Sequence, residues 1–265
     1  MHLSGLYRYP LKSSAAEPLT TSSVGSMGLE GDRRWLVIDE ASGRFLTQRL
    51  LGQMTQLTAR YSASGALTLM APGRGPLDVA VPPMDACLRG VIIWSDTLRA
   101  PDAGDAAAAW LSDFLQRPCR LVYMPDDCFR PVKSDVPSDR VSFADGFPLL
   151  LIGRDSLTDL SRRVGRPLEL LRFRPNLVIT GAEPYAEDYW RRIRIGSTVF
   201  RIAGPCSRCI ITTLDPEDGT RSADREPLKT LKDFRQHEGK VYFGQNLIPD
   251  SAGHLEVGMP VELLE

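Results

Sequence analysis

No apolar run in this chain goes far before Gly, Pro, Ser or Asp interrupts it, and that punctuation sets the fold class. With 22 glycines and 20 prolines among 265 residues, long helices have little room and short strands joined by turns are favoured. Strands are expected over Leu3–Tyr9, Trp35–Ile38, Leu67–Met70, Arg120–Tyr123, Leu149–Ile152, Leu177–Thr180, Arg192–Ile195 and Thr198–Ile202. Near the C-terminus, Leu255–Val257 and Val261–Leu264 flank the turn signal Gly258-Met259-Pro260. Two helices interrupt the pattern. In Asp105–Arg117, Ala107, Trp110, Leu111, Phe114 and Leu115 recur at helical spacing before Pro118, and in Asp155–Val164, Leu157, Leu160 and Val164 share a face before Gly165. The expected class is a β-rich α+β protein with barrel-like parts, dividing near residue 120. Pro125–Pro137 is expected to be a loop.

The composition excludes several classes. A formal net charge of -1 gives no global attraction to nucleic acid or an anionic membrane. The longest apolar runs, such as Pro148–Ile152, are far shorter than a membrane span, and Met1–Gly5 lacks the features of a secretory signal. Five cysteines with no dense pairing pattern fit a reducing cytoplasm. The three histidines, His2, His237 and His254, are isolated, which argues against a histidine-led hydrolase or a zinc motif. Gly25–Gly31 lacks the spacing of a phosphate loop and is expected to be a plain turn.

The strongest chemical signal is Cys206-Ser207-Arg208-Cys209, expected after a strand ending in a Gly204-Pro205 turn. A thiolate can hold a soft metal, and a guanidinium with nearby amides can hold an anion. Alone, the pair equally fits two half-buried cysteines. A structural zinc site wants a second pair, and Cys87, Cys119 and Cys128 do not supply it. A thioredoxin-type pair wants a following helix, whereas Ile210–Thr213 is expected to be a strand. Other clusters fit the anion reading: Lys12-Ser13-Ser14 and Asp32-Arg33-Arg34 at strand ends, Arg174 and Asn176 expected on one face ahead of Leu177–Thr180, and Phe243-Gly244-Gln245-Asn246.

At these residues the chain resembles the MOSC-domain family, whose name refers to the C-terminal domain of molybdenum cofactor sulfurase. It is most similar to the two-part members, which include bacterial proteins that detoxify N-hydroxylated bases and the mitochondrial amidoxime-reducing components. The likeness runs through Tyr9-Pro10-Leu11-Lys12-Ser13, Gly31-Asp32-Arg33, Phe143–Pro148, Phe173-Arg174-Pro175-Asn176, Cys206–Asp218, Glu226–Leu231 and Phe243–Leu247. The resemblance implies a MOSC β-barrel with a smaller α/β N-terminal-region domain. Residues 1–119 would form the N-terminal region, with 1–33 joining the barrel and 34–119 inserted, and 120–265 would form the MOSC domain.

The resemblance further implies the molybdenum cofactor, with Cys209 as catalytic residue and metal ligand. Ser207 and Arg208, with Lys12, Ser13 and Arg33, would hold the pterin phosphate region. Arg174, Asn176 and the loop Asp145-Gly146-Phe147 would line the rest. Gly146 and Phe147 lack the hydroxyls of the mitochondrial members and would act through backbone, while Asn246 stands where those members carry a tyrosine. Asp145 is a candidate proton donor by position, and Cys206 receives no role. The implied activity is reduction of N–OH to N–H plus water on small substrates, with electrons from a separate flavin reductase, ferredoxin-like protein or cytochrome. A cofactor carrier and a sulfur carrier are the alternatives.

Overall fold

The computed structural model describes every residue except Met84. Its largest element is a nine-stranded sheet in the order Val261–Leu263, Arg192–Ile195, Thr198–Arg208, Lys240–Pro249, Leu149–Gly153, Leu177–Thr180, His2–Arg8 and Glu17–Leu19, with Gln236–His237 added beside Lys240–Pro249. Neighbours are antiparallel except Leu149–Gly153 and Leu177–Thr180. Parallel strands need a crossover, and a helix at Arg154–Val164 lies between these two in sequence. The path ends on Val261–Leu263 and Glu17–Leu19, which do not pair with each other. Beyond that path, Leu3 donates its amide to the Met259 carbonyl at 2.9 Å, Val261 donates to that of Met1 at 3.1 Å, and a bridge joins His2 to Pro260, which draws the first strand towards the Val261–Leu263 end. The described residues form a strand-rich α+β fold without a fully closed barrel.

Between residues 35 and 123 the chain builds smaller pieces. Trp35–Asp39 pairs with Cys119–Tyr123, so the chain enters and leaves this region on adjacent antiparallel strands. Between them lie a three-stranded sheet (Thr58–Tyr61, Leu67–Ala71, Arg74–Val79) and a hairpin (Leu88–Ile93, Asp96–Pro101). The first helix, α1 (Asp105–Leu115), packs Leu111 and Leu115 against Trp35, Val37, Leu67 and Leu69. The main sheet has its own core, including Leu3, Leu6, Leu149, Leu151, Leu177, Ile193, Phe200 and Leu247.

The second helix, α2 (Arg154–Val164), closes on Gly165 at φ 83°, as its stop signal predicts. A third, α3 (Leu228–Arg235), has no expected counterpart; it follows Pro227 and buries Leu231. The expected strand at Ile210–Thr213 is instead a 3₁₀ turn. There Thr212 donates its hydroxyl to the Cys209 carbonyl at 3.0 Å and Thr213 to that of Ile210 at 2.7 Å, so local hydroxyl bonds override β-branched propensity. Gly204-Pro205 is not a turn either. The strand runs on to Arg208 with register shifts between Ile202 and Gly204 and between Pro205 and Ser207. Proline donates no ladder hydrogen bond, and the strand's pairing with Lys240–Pro249 shifts register around it.

Candidate functional site

The insertion of His2–Arg8 beside Leu177–Thr180 brings the residues after the first strand to those before the second. Tyr9, fully buried, donates its hydroxyl to the Pro175 carbonyl at 3.1 Å and its amide to Asp32 Oδ1 at 2.8 Å. Burial drives its phenol up to about 12, so the ring stays neutral. Arg33 and Arg174 each stand 4.2 Å from its ring centroid, giving two cations on one aromatic platform. Arg33 also donates to Asp32 at 2.5 Å and to Asn176 Oδ1 at 2.9 Å. Arg174 pins the Ser14 carbonyl at 2.7 Å, and buried Gln48 holds the Ser13 carbonyl at 2.9 Å. Desolvation lowers Arg174 to about 10, with Tyr9 opposing and Arg33 adding repulsion.

Arg174 does not precede the strand in extended form, as expected, but caps a 3₁₀ turn over Leu170–Phe173 at φ 55°. Asn176 is 1% exposed and its amide is engaged inside the protein. Its Oδ1 accepts from Arg33 and from the Leu150 amide at 3.2 Å, and its Nδ2 donates to the Tyr7 carbonyl at 3.0 Å. It therefore acts on the site through Arg33.

Lys12 is 6% exposed and donates to Asp145 Oδ1 at 2.5 Å. Desolvation brings Lys12 down to about 8, with the Asp145 carboxylate opposing. Desolvation resists the charge on Asp145, but the Lys12 ammonium, Arg49 and the Trp94 indole together hold its carboxyl well below the usual range. Asp145 is thus a carboxylate at neutral pH, open to solvent on one side, and accepts hydrogen bonds rather than donating a proton. Its neighbour Gly146 has open space where a Cβ would stand, and Phe147 packs towards Val132, Val141, Ala144 and Ile248.

The two cysteines of the motif prove unequal. In an extended strand, residues three apart face opposite ways. Cys206 shares a face with Arg208, whose Nη1 lies 3.1 Å from its Sγ, while Arg208 Nη2 reaches the Phe173 carbonyl at 2.7 Å. Arg208 Nε is buried without a partner. Cys209, extended at φ -132°, falls on the side of exposed Ser207, and its Sγ accepts from Arg49 Nη2 at 3.3 Å. Asn246 donates to the Pro205 carbonyl at 3.3 Å. Lys12, Ser13, Arg33, Arg174 and Asn176 thus form one connected cluster, and Cys209 joins it through Arg49, Asp145 and Lys12. Gly146, Phe147, Ser207 and Asn246 make no direct hydrogen bond to Cys209.

Sequence reasoning missed Arg49, Gln48 and Trp94. None belongs to a periodic element or a recognisable spacing, so only tertiary contacts reveal them. Four side-chain-bearing residues of the site, Ser13, Arg33, Trp94 and Arg174, have positive φ. Such residues are uncommon and concentrate where surrounding structure imposes them.

A thiol thus lies beside a cationic cluster drawn from both parts of the chain, an arrangement with the chemistry to receive an anionic group. Comparison with known proteins identifies the family. The model for the MOSC N-terminal beta barrel domain matches residues 1–118, and that for the MOSC domain matches 138–262. Mitochondrial amidoxime-reducing component 1 of Homo sapiens is 35% identical over 286 residues, covering 98% of this chain and 82% of the relative. Mitochondrial amidoxime reducing component 2 of Bos taurus is 31% identical over 278 residues, covering 98% and 82%. Molybdenum cofactor sulfurase of Danio rerio is 33% identical over 277 residues, covering 94% of this chain but 32% of that protein. The chain belongs to the MOSC-domain family, in its two-part form.

Proposed function

We propose that this protein is a molybdenum-cofactor-dependent reductase of N-hydroxylated compounds, converting N–OH to N–H and water with electrons from a separate donor protein. The observation that carries the reading is the Cys209 thiol, set apart from Cys206 and reached by Arg49, beside a cluster with Lys12, Arg33 and Arg174. Among the described residues no three His, Cys, Asp or Glu side chains converge as metal ligands, so a metal here suits a cofactor bringing ligands of its own. The buried, unpartnered Arg208 Nε and the excess of cations over the carboxylates Asp32 and Asp145 fit a phosphate-bearing group. The names of the relatives agree with this chemistry.

When bound, the cofactor would supply two-electron reduction of the N–O bond. Cys209 would supply the thiolate. Lys12, Ser13, Arg33, Arg174, Ser207 and Arg208 would hold the pterin and its phosphate, with Asn176 fixing Arg33. Gly146 and Phe147 would contribute backbone, and Asn246 would border the site from Lys240–Pro249. Asp145, kept ionised, would orient donors rather than deliver a proton. Lys12, with its proton held near pH 8, is the more labile source. We place the domain division at 1–119 and 120–265, with 1–33 joining the main sheet and 34–119 inserted; the pairing of His2–Arg8 with Leu177–Thr180 supports it. All five cysteines are free thiols, in keeping with a cytoplasmic setting, and no helix among the described residues is long and apolar enough to cross a membrane.

Purified protein is expected to contain molybdenum and pterin, and Cys209→Ala to lose reduction of a hydroxylamine or amidoxime with a suitable donor. Full activity in that variant overturns the ligand assignment. The similarity to molybdenum cofactor sulfurase favours a second reading, a carrier of cofactor or sulfur. A carrier binds and releases cofactor without turnover, and a sulfur carrier shows one added sulfur atom by mass spectrometry.

A further inference from the structure

Arg49 lies far in sequence from the cysteine motif, yet its guanidinium is aimed at it. Nη2 stands 3.3 Å from Cys209 Sγ and 4.0 Å from Asp145 Oδ2. Charge neutralisation of Asp145 does not explain the arrangement, because Lys12 already meets that carboxylate at 2.5 Å. The directional donor goes to the sulfur.

The surroundings hold Arg49 in place. Its guanidinium lies 4.8 Å from the Trp94 ring centroid, within cation–π range. Trp94 occupies the two-residue tip between Leu88–Ile93 and Asp96–Pro101, with φ 54°. A bulky residue in that left-handed region is strained. Contacts on two sides fix it: the indole Nε1 donates to Asp145 Oδ1 at 3.2 Å, and Phe45 meets the ring edge-on at 5.0 Å. The hairpin tip therefore accepts strain to lay an aromatic face against Arg49, whose side chain is 26% exposed. A solvated surface arginine needs no such bed.

We propose that Arg49 is a positioning residue for the Cys209 thiolate, fixing the sulfur's direction and, through it, setting the reduction potential of the metal bound there. This rests on the assignment of Cys209 as the metal ligand. A donor directed at a ligating sulfur draws electron density from it, so less reaches the metal and the reduced state is favoured. Arg49 thus raises the potential. Trp94 and Asp145 serve it by fixing the guanidinium plane.

The test is a potentiometric titration of cofactor-loaded protein followed by the molybdenum(V) electron paramagnetic resonance signal, with metal content measured on the same samples. Arg49→Gln is expected to lower the midpoint potential and shift the g-values. Arg49→Lys keeps the charge but not the planar fork and is expected to fall between Gln and wild type. Trp94→Leu, which removes the stacking face, is expected to shift the signal in the same direction as Arg49→Gln, by less. A midpoint and signal unchanged in Arg49→Gln overturn the proposal. If that variant does not fold, an unchanged signal in both Arg49→Lys and Trp94→Leu overturns it instead. Cys209→Ala, run in parallel, separates the two ideas: retained metal with an unaltered signal overturns the Cys209 assignment, whereas loss of that signal beside an unmoved Arg49→Gln spectrum overturns only the role of Arg49.

Discussion

Asn176 offers the sharpest test of how the site is built, because a ligand contact and a scaffold residue fail differently when truncated. In Asn176→Ala three hydrogen bonds disappear: one from the Arg33 guanidinium, one from the Leu150 amide and one to the Tyr7 carbonyl. Two neutral bonds contribute about 1 kcal/mol each and the charge-assisted bond roughly 1.5–3. The side chain is 1% exposed, so water has little access to the groups left behind, and the expected loss is about 4 kcal/mol. That is a large share of the ~5–15 kcal/mol that holds an ordinary domain together. The assay is guanidinium chloride unfolding of the cofactor-free protein, where a lower midpoint at unchanged slope reads a change in stability. Asn176→Asp keeps an acceptor for Arg33 but removes the donor to Tyr7, and is expected to lose less. A loss below about 1 kcal/mol in Asn176→Ala, with cofactor binding abolished, is the behaviour of a ligand contact and refutes the scaffold role.

Three further outcomes follow from the same geometry. Lys12 is lowered in the folded protein from 10.5 to about 8, so below pH 8 its ammonium is charged in both states and the full burial penalty applies. As pH rises from 8 towards 10.5 the unfolded chain binds more protons than the folded one, so stability rises by about 1.4 kcal/mol per pH unit relative to Lys12→Met; denaturation of the two proteins at several pH values reads this, and a constant difference contradicts it. Gly244 has φ +76°, and a Cβ there would lie 2.6 Å from the Leu151 carbonyl oxygen. Gly244→Ala is therefore expected to destabilise by at least about 2 kcal/mol, visible as a lower melting temperature, and an unchanged melt argues against this backbone geometry. Cys206 and Cys209 face opposite ways, so mild diamide oxidation is expected to leave both thiols free by mass spectrometry; a bridged peptide lacking two hydrogens counters that reading.

Strand positions were legible because the pattern and the punctuation agree. Leu177–Thr180 and Arg192–Ile195 occupy the expected residues, each a short apolar or alternating run between turn residues. Helix α3 was not legible: its 8 residues give too few periods for a helical pattern to separate from loop. Ile210–Thr213 misled because β-branched composition signals a strand only when no closer partner competes for the carbonyls, and here two threonine hydroxyls compete. Within the site, Lys12, Arg33 and Arg174 were readable as cations at strand ends, but their shared platform on Tyr9 depends on which strands pair. Arg49 carried no signal at all, since its meaning comes from Cys209, 160 residues away.

The strained positions explain how such a site persists without a covalent brace. Ser13, Arg33, Trp94 and Arg174 each have positive φ, yet each is over-determined. Gln48 and Arg174 hold the carbonyls of Ser13 and Ser14, Asp32 and Asn176 hold the Arg33 guanidinium, and Asp145 and Phe45 hold Trp94. Gathering cations costs electrostatic energy, which the lowered proton affinities of Lys12 and Arg174 register beneath the larger effect of desolvation. Under the proposed function, an incoming polyanion would relieve the repulsion without having to move these groups, because the backbone has already fixed them. The strained positions therefore coincide with the cationic cluster, where the proposed ligand would offset their cost. The core strands Leu149–Gly153 and Leu177–Thr180, buried over most of their length, supply the stability that lets the site remain poised.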